Sequence, residues 1–149
     1  MTDAPLRMRT ARFAELTGAE VYGLCRLRVD VFVVEQQCPY PELDGRDVEP
    51  ATVHLWFEGD DGVVATIRVL DDGDTRAIGR VATAAAHRGR GLSAQLIEAG
   101  IALCEGHPIT MGAQAHLAGW YARFGFRTSG PGYVEDGIPH VPMRREPAG

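Results

Sequence analysis

Between Arg80 and Ser93 the chain reads Arg-Val-Ala-Thr-Ala-Ala-Ala-His-Arg-Gly-Arg-Gly-Leu-Ser, a strand-like run entering a glycine turn that opens a helix. Gly89 and Gly91 let the backbone turn tightly, with several N–H groups facing one side. The helix start adds unpaired donors and the positive end of a dipole, and Arg88 and Arg90 bracket Gly89 with charge. Such a construction holds a phosphate or diphosphate. An ordinary strand-to-helix connection also uses glycine, so the ligand must be argued from what surrounds the turn. A dinucleotide fingerprint needs a third glycine where Ala94 stands, and a phosphate-binding P-loop needs a lysine where Leu92 stands. A nucleophile elbow around Ser93 needs a glycine where Gln95 stands, which weakens the reading of a small hydrolase with a Ser93 nucleophile.

Composition narrows the field. A chain of 149 residues suits one domain, with a core over about residues 6–145. With 45% apolar and 23% charged residues it reads as soluble and globular. The net charge of −5 argues against a nucleic acid partner and is compatible with a cationic substrate such as an amine. Cys25, Cys38 and Cys104 lack C-x-x-C spacing, which suits a reducing compartment and predicts a cytoplasmic protein. Asp3 and Pro5 precede any apolar run, unlike a signal peptide, and Val31 to Val34 is too short to span a membrane. No metal is expected. Glu42, Asp44, Asp47 and Glu49 lack calcium-loop spacing, and Cys104 with His107 is a lone pair. That acidic loop is expected to be solvated or to face an incoming amine.

The elements that must position the turn can be read from periodicity. Met8 to Phe13 predicts a strand. Thr17 caps a helix whose apolar face carries Tyr22, Cys25 and Val29, with Leu24 and Leu27 beside it, and Val29 to Val34 closes that helix. Cys38-Pro39-Tyr40-Pro41 stops regular structure. Three strands follow as a meander: His54 to Glu58, Val63 to Leu70, and Ala77 to Thr83. Leu92 to Glu105 is a helix with Leu92, Leu96, Ala99 and Leu103 on one stripe, ended by Gly106 and Pro108. A strand at Ile109 to Ala113, a short helix at Leu117 to Phe124, and strands near Phe126 to Tyr133 and His140 to Met143 complete a mixed α/β layer.

The segment Ala86-His87-Arg88-Gly89-Arg90-Gly91 resembles the Q/R-x-x-G-x-G/A signature of the GNAT superfamily of acyl-CoA-dependent N-acyltransferases, with Ala86 departing at the leading position. Gln114 stands where that superfamily usually has Asn at a strand end, and Tyr121-Ala122-Arg123-Phe124-Gly125-Phe126 matches its Tyr-x-x-x-Gly-Phe helix end. Arg28 to Gln36, Cys38-Pro39-Tyr40, Gly112 to Leu117 and Glu135 to His140 resemble the ElaA branch. The resemblance implies a three-layer fold: a mixed, mostly antiparallel sheet of about seven strands, splayed between the fourth and fifth, with about four helices.

It further implies acetyl transfer from acetyl-CoA to an amine acceptor. On that reading the backbone around Arg88, Gly89, Arg90, Gly91, Leu92 and Ser93 takes the diphosphate, and Ala86 removes one expected contact. The pantetheine arm lies along Val81, Ala82 and Thr83, and Gln114 and Tyr121 belong to the cofactor site. Tyr121 is the candidate general acid toward the departing sulfur. Glu35 is a candidate base if burial raises its pKa; His54 is another by its ordinary titration range. Glu135, Asp136 and His140 are candidates to line the acceptor pocket, and a water chain without a dedicated base is the alternative. A homodimer is a family habit. The rival reading keeps the fold without catalysis, as an acyl-CoA sensor.

Overall fold

The structure, a computed structural model, describes residues 5–148, so Asp3 lies outside the described residues. Chain order is β1 (Arg7–Arg12), α1 (Gly18–Val29), β2 (Val53–Gly59), β3 (Gly62–Asp71), β4 (Arg76–Thr83), α2 (Leu92–Leu103), β5 (Ile109–Gln114), α3 (Ala118–Ala122), β6 (Arg127–Thr128), β7 (Tyr133–Glu135) and β8 (Ile138–Arg145). One sheet runs β1-β2-β3-β4-β5-β8-β6, with β7 paired to β8. Every pairing is antiparallel except β4 with β5. The mixed α/β sheet is as expected, with eight strands and three α-helices among the described residues.

Local chemistry accounts for the helices. The Glu20 N–H donates to the Thr17 hydroxyl at 3.1 Å and the Thr17 N–H to the Glu20 carboxylate at 2.9 Å, a capping box that starts α1. The β-branched run after Val29 winds on as a π-helical segment, Asp30–Glu35. The face α1 buries differs from the expected one. Leu24, Leu27 and Arg28 point inward, whereas Tyr22 is 69% exposed. Carboxylates from the following loop hold Arg28 inside, and that contact sets the helix rotation. On α2 the buried stripe is Leu92, Leu96, Ile97 and Gly100, with Leu103 52% exposed. Gly100 is decisive there: a Cβ would meet Ile67 Cδ1 at 2.9 Å and Ile78 Cδ1 at 3.3 Å. The missing side chain lets the helix settle on the sheet. At the other end, Gly130-Pro131-Gly132 divides the expected strand Phe126 to Tyr133 into β6 and β7.

The carboxylates of the acidic loop are paired with arginines, not free to meet a substrate. Arg28 Nε lies 2.7 Å from Glu42, both side chains 2% exposed, and Arg28 Nη1 lies 2.6 Å from Asp47. Arg68 pairs with Asp44 at 2.6 Å and Asp47 at 3.2 Å, and Arg80 pairs with Glu42 at 2.8 Å. Arg46 holds Glu49 at 3.0 Å and Asp72 at 2.6 Å. The loop's negative charge is thus consumed by guanidiniums, which explains how arginines sit at the buried positions 28 and 68.

Arg28→Ala is expected to destabilise the fold by about 3–5 kcal/mol in urea unfolding, because Glu42 is left buried without its main cation. Hydrogen bonding from Arg68 holds the Asp44 carboxyl well below the usual carboxylate range. Its stabilising contribution is complete above the unfolded-state pKa and is lost as pH falls toward the folded-state value. Asp44→Asn should therefore flatten the acid limb of stability against pH, measured by denaturation at stepped pH.

Candidate active site

The parallel pairing of β4 and β5 covers only Arg76↔Ile109 and Ala77↔Thr110. Two residues further on, Thr66 opposes Ala82 while Arg68 opposes Gly79, so Arg80 and Val81 together face Ile67. This is a bulge, and Arg80 adopts the left-handed φ of 52° that it requires. A bulge bends its strand, and beyond it the facing edges of β4 and β5 have no strand partner on that side. The gap opens a cleft of about 560 Å³, walled by Ile78 to Val81 on one side and Met111 to Gln114 on the other.

Tyr121 of α3 enters this cleft and is largely buried. Its ring meets Trp120 edge-on at 4.9 Å and Phe126 at 6.4 Å, so its position is set by aromatic packing. Burial pushes its phenol up to about 12, which keeps the proton on at neutral pH. Val81 and Gln114 also line the cleft. Ala82 points the other way, into a small cluster with Leu27 and Val31, as strand alternation demands. Thr83 joins the end of β4 to α2 through a 2.6 Å contact between its hydroxyl and that of Ser93.

The glycine turn has the conformation that the residue types predict. Gly89 and Gly91 hold φ of 81° and 73°, and Gly91 is the residue at which α2 begins. Leu92 is buried as the first residue of that helix. Arg88 is anchored from two sides: Nε donates to the Thr83 carbonyl at 3.0 Å and Nη2 to Glu35 at 2.7 Å. Arg90 approaches His87 Nδ1 at 3.1 Å.

Two expectations are corrected. Glu35 is exposed, and hydrogen bonding from Arg88 lowers its pKa rather than burial raising it. It braces the turn and does not line the cleft. His54 is buried in β2, also outside the cleft, with Nε2 donating to the Asp47 carbonyl at 3.0 Å. Desolvation lowers its pKa and keeps the ring neutral.

The opposite rim is built by the Pro-rich loop and the β7–β8 turn. Tyr40 lies under the Arg80 guanidinium, 5.9 Å from it, and its hydroxyl donates to Glu42. Cys38 donates to the Asp136 carbonyl at 3.3 Å, tying the Pro-rich loop to the β7–β8 turn. Glu135, Asp136 and His140 line the cleft beside them. The signal for Arg80 and the loop was an arginine inside an apolar strand, Arg68, which cannot be buried without a partner.

Residues 21–147 match the model of the GNAT acetyltransferase domain. A UPF0039 protein of Mycobacterium tuberculosis is 44% identical, covering 100% of this chain and 97% of that protein. The crystal structure of an acyl-CoA N-acyltransferase from Pseudomonas aeruginosa superposes with a TM-score of 0.90 at 42% identity, covering 95% of this chain and 99% of that one. Escherichia coli ElaA superposes with a TM-score of 0.89 at 38% identity, covering 95% and 100%.

Gly112 of β5 lies under the Tyr133 hydroxyl, in the space that a Cβ would fill. Gly112→Ala is expected to swing the half-exposed Tyr133 ring off its stack with His140, at a stability cost under about 1 kcal/mol. The displacement should appear in NMR spectra as altered ring-current shifts of the His140 ring protons.

Proposed function

The chain belongs to the GNAT acetyltransferase family, and we propose on that footing that it moves an acetyl group from acetyl-CoA directly to a primary amine. The observation that carries this reading is the cleft between diverging β4 and β5 with the protonated, buried phenol of Tyr121 inside it. An open strand edge accepts an extended amide-bearing chain as an added strand. The unpaired edge of β4 from Val81 to Thr83 would bind the pantetheine amides in this way. One of the same backbone N–H groups would polarise the thioester carbonyl, where preorganised donors have their largest effect.

The Gly89–Ser93 backbone would take the diphosphate at the start of α2, with the helix dipole assisting. Arg88, neutralised by Glu35, supplies shape to that turn more than net charge. Gln114 borders the cleft on β5 and stands close to the reacting end of such a ligand. Tyr121 would donate its proton to the sulfur as the C–S bond breaks.

The direct test is release of CoA thiol with a panel of amines, the products identified by mass spectrometry. Thiol release that requires an amine is the expected result. Binding of acetyl-CoA with no turnover on any acceptor would instead make the chain an acyl-CoA sensor. Tyr121→Phe is expected to lower kcat about 10²-fold or more while leaving acetyl-CoA affinity near normal. Glu35→Gln, which frees Arg88, should raise KM for acetyl-CoA and leave the pH dependence of kcat in place, as read from steady-state kinetics over a pH series.

A further inference from the structure

We propose that His140 is the proton acceptor for an acceptor amine that arrives as an alkylammonium ion; this rests on the transferase reading above. His140 lines the cleft that holds Tyr121. Its Nδ1 lies 2.7 Å from the carbonyl oxygen of Ile138. A carbonyl only accepts, so Nδ1 carries the proton, and in the neutral ring the lone pair is left on Nε2. The one side-chain hydrogen bond of His140 among the described residues is at Nδ1, and Nε2, the distal nitrogen, is left without one. Tyr133 stacks on the ring at 5.6 Å with an interplanar angle of 17°, which fixes its plane. The structure thus presents an oriented imidazole whose basic nitrogen is uncommitted.

The charged and titratable groups around it favour a cation. Glu135 and Asp136 come from the β7–β8 turn and Tyr133 from β7. Cys38 and Tyr40 come from the Pro-rich loop and Tyr121 from α3. The remaining pair, Asp44 and Arg80, is committed to the ion-pair cluster. Among the described residues, Glu135 and Asp136 make no ion pair, leaving two carboxylates on this rim to meet an ammonium group.

Nε2 takes one proton from R–NH3+, giving imidazolium and R–NH2, and the imidazolium returns that proton to solvent. The amine nitrogen then forms the C–N bond to the thioester carbon as the C–S bond breaks. Of its two remaining protons one stays in the amide. The other replaces the proton that Tyr121 gives to the sulfur.

The test compares ethylamine, almost wholly ammonium at neutral pH, with 2,2,2-trifluoroethylamine, which is largely neutral there. His140→Asn keeps an N–H at the Nδ1 position for the Ile138 carbonyl and removes the base; thermal unfolding of the variant checks that the fold is intact. The expected result is a fall of about 10²-fold in kcat/KM with ethylamine, under about 10-fold with trifluoroethylamine, and displacement to higher pH of the acidic limb of the pH–rate profile with ethylamine. Equal losses on both amines, or an unchanged acidic limb, overturn the assignment while leaving the transferase reading intact. No turnover by the unaltered chain with any amine overturns that reading, and the proposal with it. Independently of activity, NMR of 15N-histidine-labelled protein should show the Nδ1–H tautomer at the resonance lost in His140→Asn, and an Nε2–H tautomer there overturns the proposal.

Discussion

The buried carboxylate of Glu42 is shared by Arg28, which belongs to the last turn of α1, and Arg80, which is the bulged residue of β4. A carboxylate removed from water must be surrounded by donors, so both arginines are held to it. Asp44 and Asp47 extend the constraint to Arg68 on β3. Three carboxylates and three guanidiniums therefore lock one helix, two strands and a loop into a single arrangement. The bulge at Arg80 follows the last β4–β5 pair, Ala77↔Thr110, and lies in the cleft wall that this cluster holds. A left-handed φ at a residue with a long side chain is costly in isolation. Here the surrounding ion pairs over-determine it.

Within the cleft, chemistry is divided between walls with different physical characters. The α3 side is aromatic and apolar, and desolvation there keeps Tyr121 protonated. The opposite rim, built by the Pro-rich loop and the β7–β8 turn, is polar and carries Asp136, Glu135 and His140. Tyr121 lies in the apolar wall, and the carboxylates and the imidazole lie in the polar one. The glycine turn stands apart from both, braced by Arg88 between Thr83 and Glu35. It needs only backbone N–H groups and left-handed glycines, so the alanine at position 86 removes no part of the turn's own geometry.

Much of this was legible in the order of residues. Thr17 and Glu20 sit three apart and make the predicted cap, because capping is local. Gly59-Asp60-Asp61-Gly62 closes the β2–β3 hairpin, and Asp136-Gly137 closes β7–β8 with the positive φ values that such turns need. The Arg-Gly-Arg-Gly turn and the Tyr121 to Phe126 unit likewise carry their geometry in consecutive residues. Helix rotation was less legible. Tyr22, Cys25 and Val29 make as good an apolar face as Leu24, Leu27 and Val31, and the choice between them was made by Arg28 and its carboxylates.

What the chain alone determined, then, is everything set by neighbours a few residues apart: the caps, the hairpins, the Arg-Gly-Arg-Gly turn and the helix that presents a tyrosine. The tertiary structure decided which charges are spent and which remain. Glu42 and Asp44 are consumed by arginines far from them in the sequence, Arg28, Arg68 and Arg80, while Glu135 stays on the cleft rim. It also left the candidates Glu35 and His54 outside the cleft, while the candidate His140 lines it. Whether a titratable side chain can act depends on its burial and its partners, and for Glu35 and Glu42 the partners come from segments distant in the chain, Arg88 for the one and Arg28 and Arg80 for the other.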